Sequence, residues 1–199
     1  MVKISTLATE TVDETVKGLR AYIMVTDEDG GVVVRKPANS LLRGFYDTLY
    51  AHMANVNTST IAEDGTSITI DPVRPGYFNF VSAPGETRQG IVVGTGTTPV
   101  SMTDFRLAAK IGHGTGAGQL IYGSTSVTSL EYLGINTFRF YVTRLFTNNS
   151  GSDITVNEVG LLEFIPTWSR GHLVDRTLVT FVVPNGRSRN VVYELRVTV

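Results

Sequence analysis

The chain contains no cysteine. That excludes disulfides, thiolate nucleophiles and cysteine metal sites. It has only three histidines, His52, His113 and His172. They stand far apart and form no HExxH pair, so the pattern offers no zinc site. Charge is scarce as well. Charged residues make up 18% of the 199 residues, against a usual share of about 25%. Formal net charge is −1, and no basic stripe of the kind that tracks nucleic acid is present. Only Arg187 and Arg189 stand close together, in PNGRSRN, which reads as a solvated hairpin tip. No nucleic-acid partner is expected. No apolar run approaches the roughly 18 residues of a membrane-spanning helix, so no membrane partner is expected either. Met1-Val2-Lys3 followed by polar residues predicts no secretory leader.

What remains is rich in glycine, threonine and valine. There are 20 glycines and 42% apolar residues, a globular rather than a disordered balance. A folded chain of this length removes roughly 70% of its unfolded surface from water, so it needs no staples. Low charge with many turn residues predicts a mainly β fold, part of whose surface is shared with other subunits. Three regions are expected: a polar, Thr-rich arm at 1–18, lead-in strands, helix and loops at 19–89, and a β-sandwich module at 90–199 that forms one compact unit with 19–89.

The order of elements follows from period and punctuation. Residues 19–26 read as a strand, 27–31 (DEDGG) as a hairpin turn, and 32–36 as the return strand ended by Pro37. Residues 40–54 form one amphipathic helix, capped by Asn39 or Ser40. Leu41, Leu42, Phe45, Leu49 and Met53 recur at spacings of three and four and give it an apolar face. Gly44 is either a weak point or the mark of a close contact. Residues 67–71 alternate as a short strand, and Tyr77, Phe78 and Phe80 anchor a Pro/Gly-rich loop that is long enough to need a role. Residues 91–93 make a buried strand. A loop at 94–101 follows, then a short helix near 103–111 with Phe105, Ala108 and Ile111 on one face, started by Ser101 or Thr103. Strands follow at 119–129, 136–147 and 154–164, the last with a possible bulge at Gly160; residues 172–183 read as a strand pair or one long strand, and 190–199 as the closing strand. Turn signals every 10 to 14 residues or so suggest an antiparallel sandwich or open barrel, and the expectation adopted is a jelly-roll-like β-sandwich.

The loop 94–98 (GTGTT) before a helical pattern invites a phosphate reading. The lysine of a P-loop is missing, and Pro99 removes a backbone donor where a dinucleotide loop has its third glycine. A structural turn is the better reading. No Gly-x-Ser-x-Gly elbow supports a serine nucleophile. Asp27, Glu28 and Asp29 lack EF-hand spacing. Asp153 and Glu158 sit five apart, on opposite faces of an extended strand. No catalytic residue, metal or cofactor is assigned, and the chain is read as not an enzyme. His172 and Asp104 are the residues whose loss would test that.

Three segments carry a resemblance: GIVVGTGTTPVSMTDFRL at 90–107, RLFTNNSGSDITVNEVGLL at 144–162, and LVDRTLVTFVVPNGRSRNVVYELRVTV at 173–199. In order they resemble a β-sandwich module of tailed-bacteriophage virion proteins. Its pattern has a V-G-x-G-T-T segment with a later D-x-x-L, an R-x-F-x-N segment running to I-T-V-x-E-x-G-L, and a last hairpin with an early Arg. They cover about half of the chain. The resemblance implies a non-enzymatic structural protein located in the virion and assembled in the host cytoplasm. The implied partners are copies of itself, a trimer among the options, together with the major capsid protein or tail proteins. A compact chain without fibre repeats fits a capsid decoration or cement protein. The alternatives are a tail, neck or baseplate component, and a carbohydrate-binding host-attachment module using Trp168, Tyr132 and Tyr122. The residues expected at interfaces are Leu41, Phe45, Leu49, Tyr77, Phe78, Phe80 and Trp168.

Overall fold

The structure is a computed structural model that describes residues 17–38 and 41–199. Most of the arm read at 1–18, and the candidate caps Asn39 and Ser40, lie outside the described residues. The large sheet is built from β1 (Gly18–Thr26), β2 (Val32–Pro37), β6 (Ile121–Val127), β7 (Glu131–Leu133), β8 (Thr137–Thr147) and β11 (Ser188–Thr198). Its order is β2-β1-β11-β8-β6, with β7 also pairing β8. The small sheet has the order β10-β9-β5, from β10 (Arg170–Val183), β9 (Ile154–Ile165) and β5 (Gly90–Gly94). A separate hairpin joins β3 (Thr58–Ile61) to β4 (Ser67–Ile70), and the helix α1 spans Arg43–Ala54.

Every strand pair is antiparallel, and the fold is a β-sandwich. Ile23, Val25, Val142, Phe146, Val191 and Tyr193 of the large sheet share one apolar core with Ile91, Val93, Val159 and Leu161 of the small one. On β8 the inner positions are Phe140, Val142, Arg144 and Phe146, while Phe138 and Leu145 stay partly exposed. Arg144 is therefore a buried cation between the sheets. Its guanidinium donates to the carbonyls of Gly123, Gln89, Ile91 and Glu86 at 2.6–3.1 Å. It also lies 4.8 Å from the centre of the Tyr122 ring. Burial, opposed by the nearby Tyr122 and Glu86, brings its pKa down to about 10. It staples β8 to β5 and to the strand–loop junction before it.

Three details differ from expectation. The helix begins at Arg43, and its N-cap is Leu42, which makes no side-chain cap bond. Gly160 is not a bulge. It pairs in register with Val92 and Arg176, and a Cβ there would press on Leu107 and Leu173. The two register shifts of this pair lie on the partner strand, one at Val174 between Leu173 and Asp175 and one between Leu178 and Phe181.

The third difference is that no helix forms at 103–111. Its amide donors go elsewhere. Ala108 and Ala109 donate to the Glu158 carboxylate at 3.1 and 2.7 Å. The Ile111 amide donates to the Val93 carbonyl, and Thr95 donates to Ala109. The segment is thus laid along β5 instead of coiling on itself. A turn at 101–104, closed by Asp104 accepting from the Ser101 amide, replaces the expected cap.

Glu158 explains the loop as well. It is fully buried and also accepts from the Gly96 amide at 3.1 Å and from Arg176 Nε at 2.7 Å. Arg176 reaches on to Asp104 at 2.7 Å and to the Thr98 carbonyl at 2.9 Å. A Cβ at Gly94 or Gly96 would collide with the Glu158 side chain. In that loop the Gly96 amide is taken by the protein's own carboxylate and the Thr95 amide by the Ala109 carbonyl.

Candidate assembly surface

The helix α1 is positioned by its small residues. Gly44, Thr48 and Ala51 form its buried face. A Cβ on Gly44 would run into the Leu173 carbonyl and the His172 ring, so the glycine marks a close contact. Below it lies a buried polar chain. Thr48 donates to Glu163 Oε1, and the Phe78 amide donates to Glu163 Oε2 at 2.7 Å. His172 Nδ1 lies 2.9 Å from Glu163 Oε1, and its Nε2 lies 2.9 Å from Thr60 Oγ1. Thr60 in turn reaches Asp47 Oδ2 of the helix at 2.8 Å.

A hydroxyl, an imidazole and a carboxylate in line are the parts of a nucleophile relay. Here the single Thr60 proton is contested by Asp47 and His172. The space beside them, lined by Arg43, Gly44, Phe105 and Leu173, is ≈ 40 Å³, about what one water needs. The chain of bonds serves to clamp α1 onto β3, β9 and β10. Of the residues weighed for catalysis, His172 belongs to this clamp and Asp104 to the Arg176 pair.

Because the small face points inward, a different apolar stripe faces water. Tyr46, Tyr50 and Met53 stand at spacings of four and three, and Met53 is 79% exposed. Val56 extends the stripe past the helix end. Of the expected apolar face, Leu42 is buried, Phe45 and Leu49 are half-buried, and Met53 points out. The sequence shows two apolar stripes of equal period. Only the third, small-residue stripe at 44, 48 and 51 decides which of them turns outward.

The residues expected at interfaces divide into three groups. Phe45 and Phe78 meet with ring centroids 5.5 Å apart, and Tyr77 joins them through His52 at 5.0 Å. These half-buried rings form a seam beside the exposed stripe. Phe80 is buried in the core, and Leu41 bridges to Asp175 on β10. Trp168 is apart from both, 40% exposed, with its indole N–H donated to the Thr69 carbonyl. Of the aromatics considered for sugar binding, Tyr132 is exposed and stacks edge-on against Phe138 at 4.9 Å. Tyr122 cannot serve, because it is fully buried and donates its hydroxyl to the Ile111 carbonyl.

A second apolar patch lies at the β7–β8 tip, where Leu130, Tyr132 and Leu133 surround Ile135, which is 92% exposed. Nothing in the local sequence singles it out beyond the glycine turn at Gly134. At the far end of the sheet, the acidic turn is spoken for. Asp27 Oδ1 accepts from the Asp29 and Gly31 amides, and Glu28 pairs with Arg187 at 2.9 Å. No family model matches the chain, and no curated protein or solved structure matches it.

Proposed function

We propose that the chain is a non-enzymatic structural protein of a tailed-phage virion, one that associates with copies of itself and covers the capsid surface as a decoration protein. The observation that carries the assembly reading is the outward stripe Tyr46, Tyr50, Met53 and Val56 beside the Phe45–Phe78 seam. Contiguous exposed apolar side chains of this kind mark protein contacts, and the aromatic content suits the anchors of an interface core. Burying one such side chain fully stabilises an association by about 1.5–3 kcal/mol.

The virion reading rests on the phage resemblance, and the internal chemistry supports treating its three segments as one module. Gly96 and Asp104 from the first, Glu158 from the second and Arg176 from the third meet in one buried cluster. Arg144, at the start of the second, binds the carbonyl of Ile91 in the first. The pattern therefore consists of residues that depend on one another physically.

Sedimentation velocity and co-sedimentation with purified capsids and tails test the reading. A closed oligomer that binds capsids is expected, and Tyr50→Glu with Met53→Glu should dissociate it. A strict monomer at tens of micromolar, binding neither particle, refutes it. Binding to tails alone moves the protein to a tail, neck or baseplate position.

A further inference from the structure

The inner face of the large sheet runs on past the core. Residues directly opposite one another in an antiparallel register share a face, so its rows follow from the pairing. Ile23, Tyr193 and Val142 form one row across β1, β11 and β8, and all three are fully buried. Ala21, Leu195 and Phe140 form the next row and are half-buried. In the row beyond, Phe138 stands opposite both Val197 on β11 and Tyr132 on β7. There the cover over this face has run out. Phe138 is 36% exposed and Tyr132 is 66% exposed. Leu130, just ahead of β7, and Ile135 in the β7–β8 turn extend this apolar shelf to the tip, and both are exposed.

The chemistry of the shelf says what can sit on it. None of its residues is charged. Strand alternation puts Arg139 on the opposite face, where it pairs with Glu131 at 2.8 Å and stands across from Arg196. A strongly charged partner therefore finds no counter-charge on the shelf. An apolar ridge does fit, and the chain carries one. Tyr46, Tyr50 and Met53 of α1 are between 51% and 79% exposed. Within one chain, ridge and shelf both stay uncovered, because the Glu163 and His172 bonds hold α1 on β3, β9 and β10. A helix stripe seated on an apolar sheet face is an ordinary layered packing, and Tyr and Met are enriched in interface cores. The sizes agree as well. With about 150–250 Å² for each aromatic side chain, ridge and shelf each expose on the order of 500 Å², so seating one on the other buries about 1,000 Å² in all, where specific interfaces begin.

We propose that the shelf formed by Leu130, Tyr132, Ile135, Phe138 and Val197 receives the α1 stripe of a second copy of this chain. This rests on the assembly reading above and names the surface that the stripe meets. The contact joins two different surfaces, head to tail. Every copy carries both halves, so the contact repeats until symmetry closes it into a ring. A stripe that paired with another stripe would leave the shelf with no part in assembly.

Sedimentation velocity of the full chain, alone and in mixtures, is the test. One variant carries Tyr50→Glu with Met53→Glu, the other Tyr132→Glu with Ile135→Glu. All four positions are exposed, and circular dichroism verifies that each variant is folded. The wild type is expected to associate and each variant alone to be a monomer. Their equimolar mixture should recover a complex, because the first keeps an intact shelf and the second an intact stripe. Mixing cannot restore a contact in which a surface meets its own copy. Ile135→Glu alone should weaken wild-type association by about tenfold or more. Association that survives the shelf changes, or a mixture that stays monomeric, overturns this proposal and leaves the assembly reading standing. A wild type that is itself a monomer overturns both. Flotation with phosphatidylcholine vesicles that the shelf changes abolish, with self-association untouched, would assign the shelf to a lipid surface instead.

Discussion

Asp175 is fully buried on β10, where its Oδ1 accepts from the Tyr193 hydroxyl and from Thr177 Oγ1, and this placement makes stability depend on pH. Asp175 moves from 3.8 in the unfolded chain to about 7 in the fold, chiefly through desolvation. The sign is that of a raised acid. Below pH 3.8 both states hold the proton, and the group contributes no pH dependence. Between 3.8 and 7 the unfolded state has lost the proton while the folded state keeps it, so rising pH favours unfolding. Above 7 the folded state carries a buried, half-satisfied anion at full cost. A shift of about 3 units corresponds to about 4 kcal/mol, of which about 3 kcal/mol falls between pH 4.5 and 8. Against a typical stability of about 5–15 kcal/mol that is large. Other shifted groups do not act in this window. Glu86, held low first by its Arg88 hydrogen bond, loses its contribution only on acidification, and the Tyr122 and Tyr193 hydroxyls are raised further above neutrality by burial. Urea titrations at pH 4.5, 6 and 8 should therefore show the wild type losing stability with rising pH, while Asp175→Asn stays flatter by about 3 kcal/mol over the same span. Parallel curves for the two proteins, or a wild type more stable at pH 8 than at 4.5, would refute the placement of this carboxylate.

Three further outcomes follow from the buried polar groups and the helix seat. Glu158→Gln leaves Arg176 facing one carboxylate fewer, and because removing one partner of a buried pair costs about 3–5 kcal/mol, the urea midpoint should drop sharply and the Phe105 region should become protease-sensitive. Arg144→Met orphans four carbonyls and should destabilise by at least about 3 kcal/mol; Arg144→Lys should recover only part of this, since an ammonium has three donors and no planar fork, as differential scanning calorimetry can show. Gly44→Ala, which would stabilise an exposed helix by up to about 1 kcal/mol, should instead lower Tm, because the added methyl meets the Leu173 carbonyl.

Much of the sandwich was legible because its signals are local. Alternation and turn residues placed β1, β2, β4, β5, β8, β9, β10 and β11 within a few residues of where they lie. The failures were non-local. Residues 103–111 carry a helical period, yet a carboxylate fifty positions away takes the amides of Ala108 and Ala109. On β8 the sequence leaves Phe138, Phe140 or Tyr141, Val142 and Leu145 competing for the inner face, and the buried Arg144 is not among them, since no rule of alternation places an arginine in a core. β3 and β7 are too short for a period to show, at four and three residues.

The candidate surface was half legible for a related reason. A helix with apolar residues at 45, 49 and 53 and again at 46, 50 and 53 presents two stripes, and hydrophobicity alone cannot rank them. The ranking comes from what lies beneath. The Leu173 carbonyl and His172 ring require the glycine at 44, and Glu163 requires the hydroxyl at 48. Once these fix the helix rotation, Tyr46, Tyr50 and Met53 have nowhere to go but outward. The polar clamp thus sets the apolar surface. If so, His172→Ala or Glu163→Leu should weaken self-association through loss of helix placement, without changing any residue of the stripe. A chain that keeps its oligomeric state when the clamp is cut would show that the assembly contacts lie elsewhere, with the β7–β8 tip around Ile135 the next surface to examine.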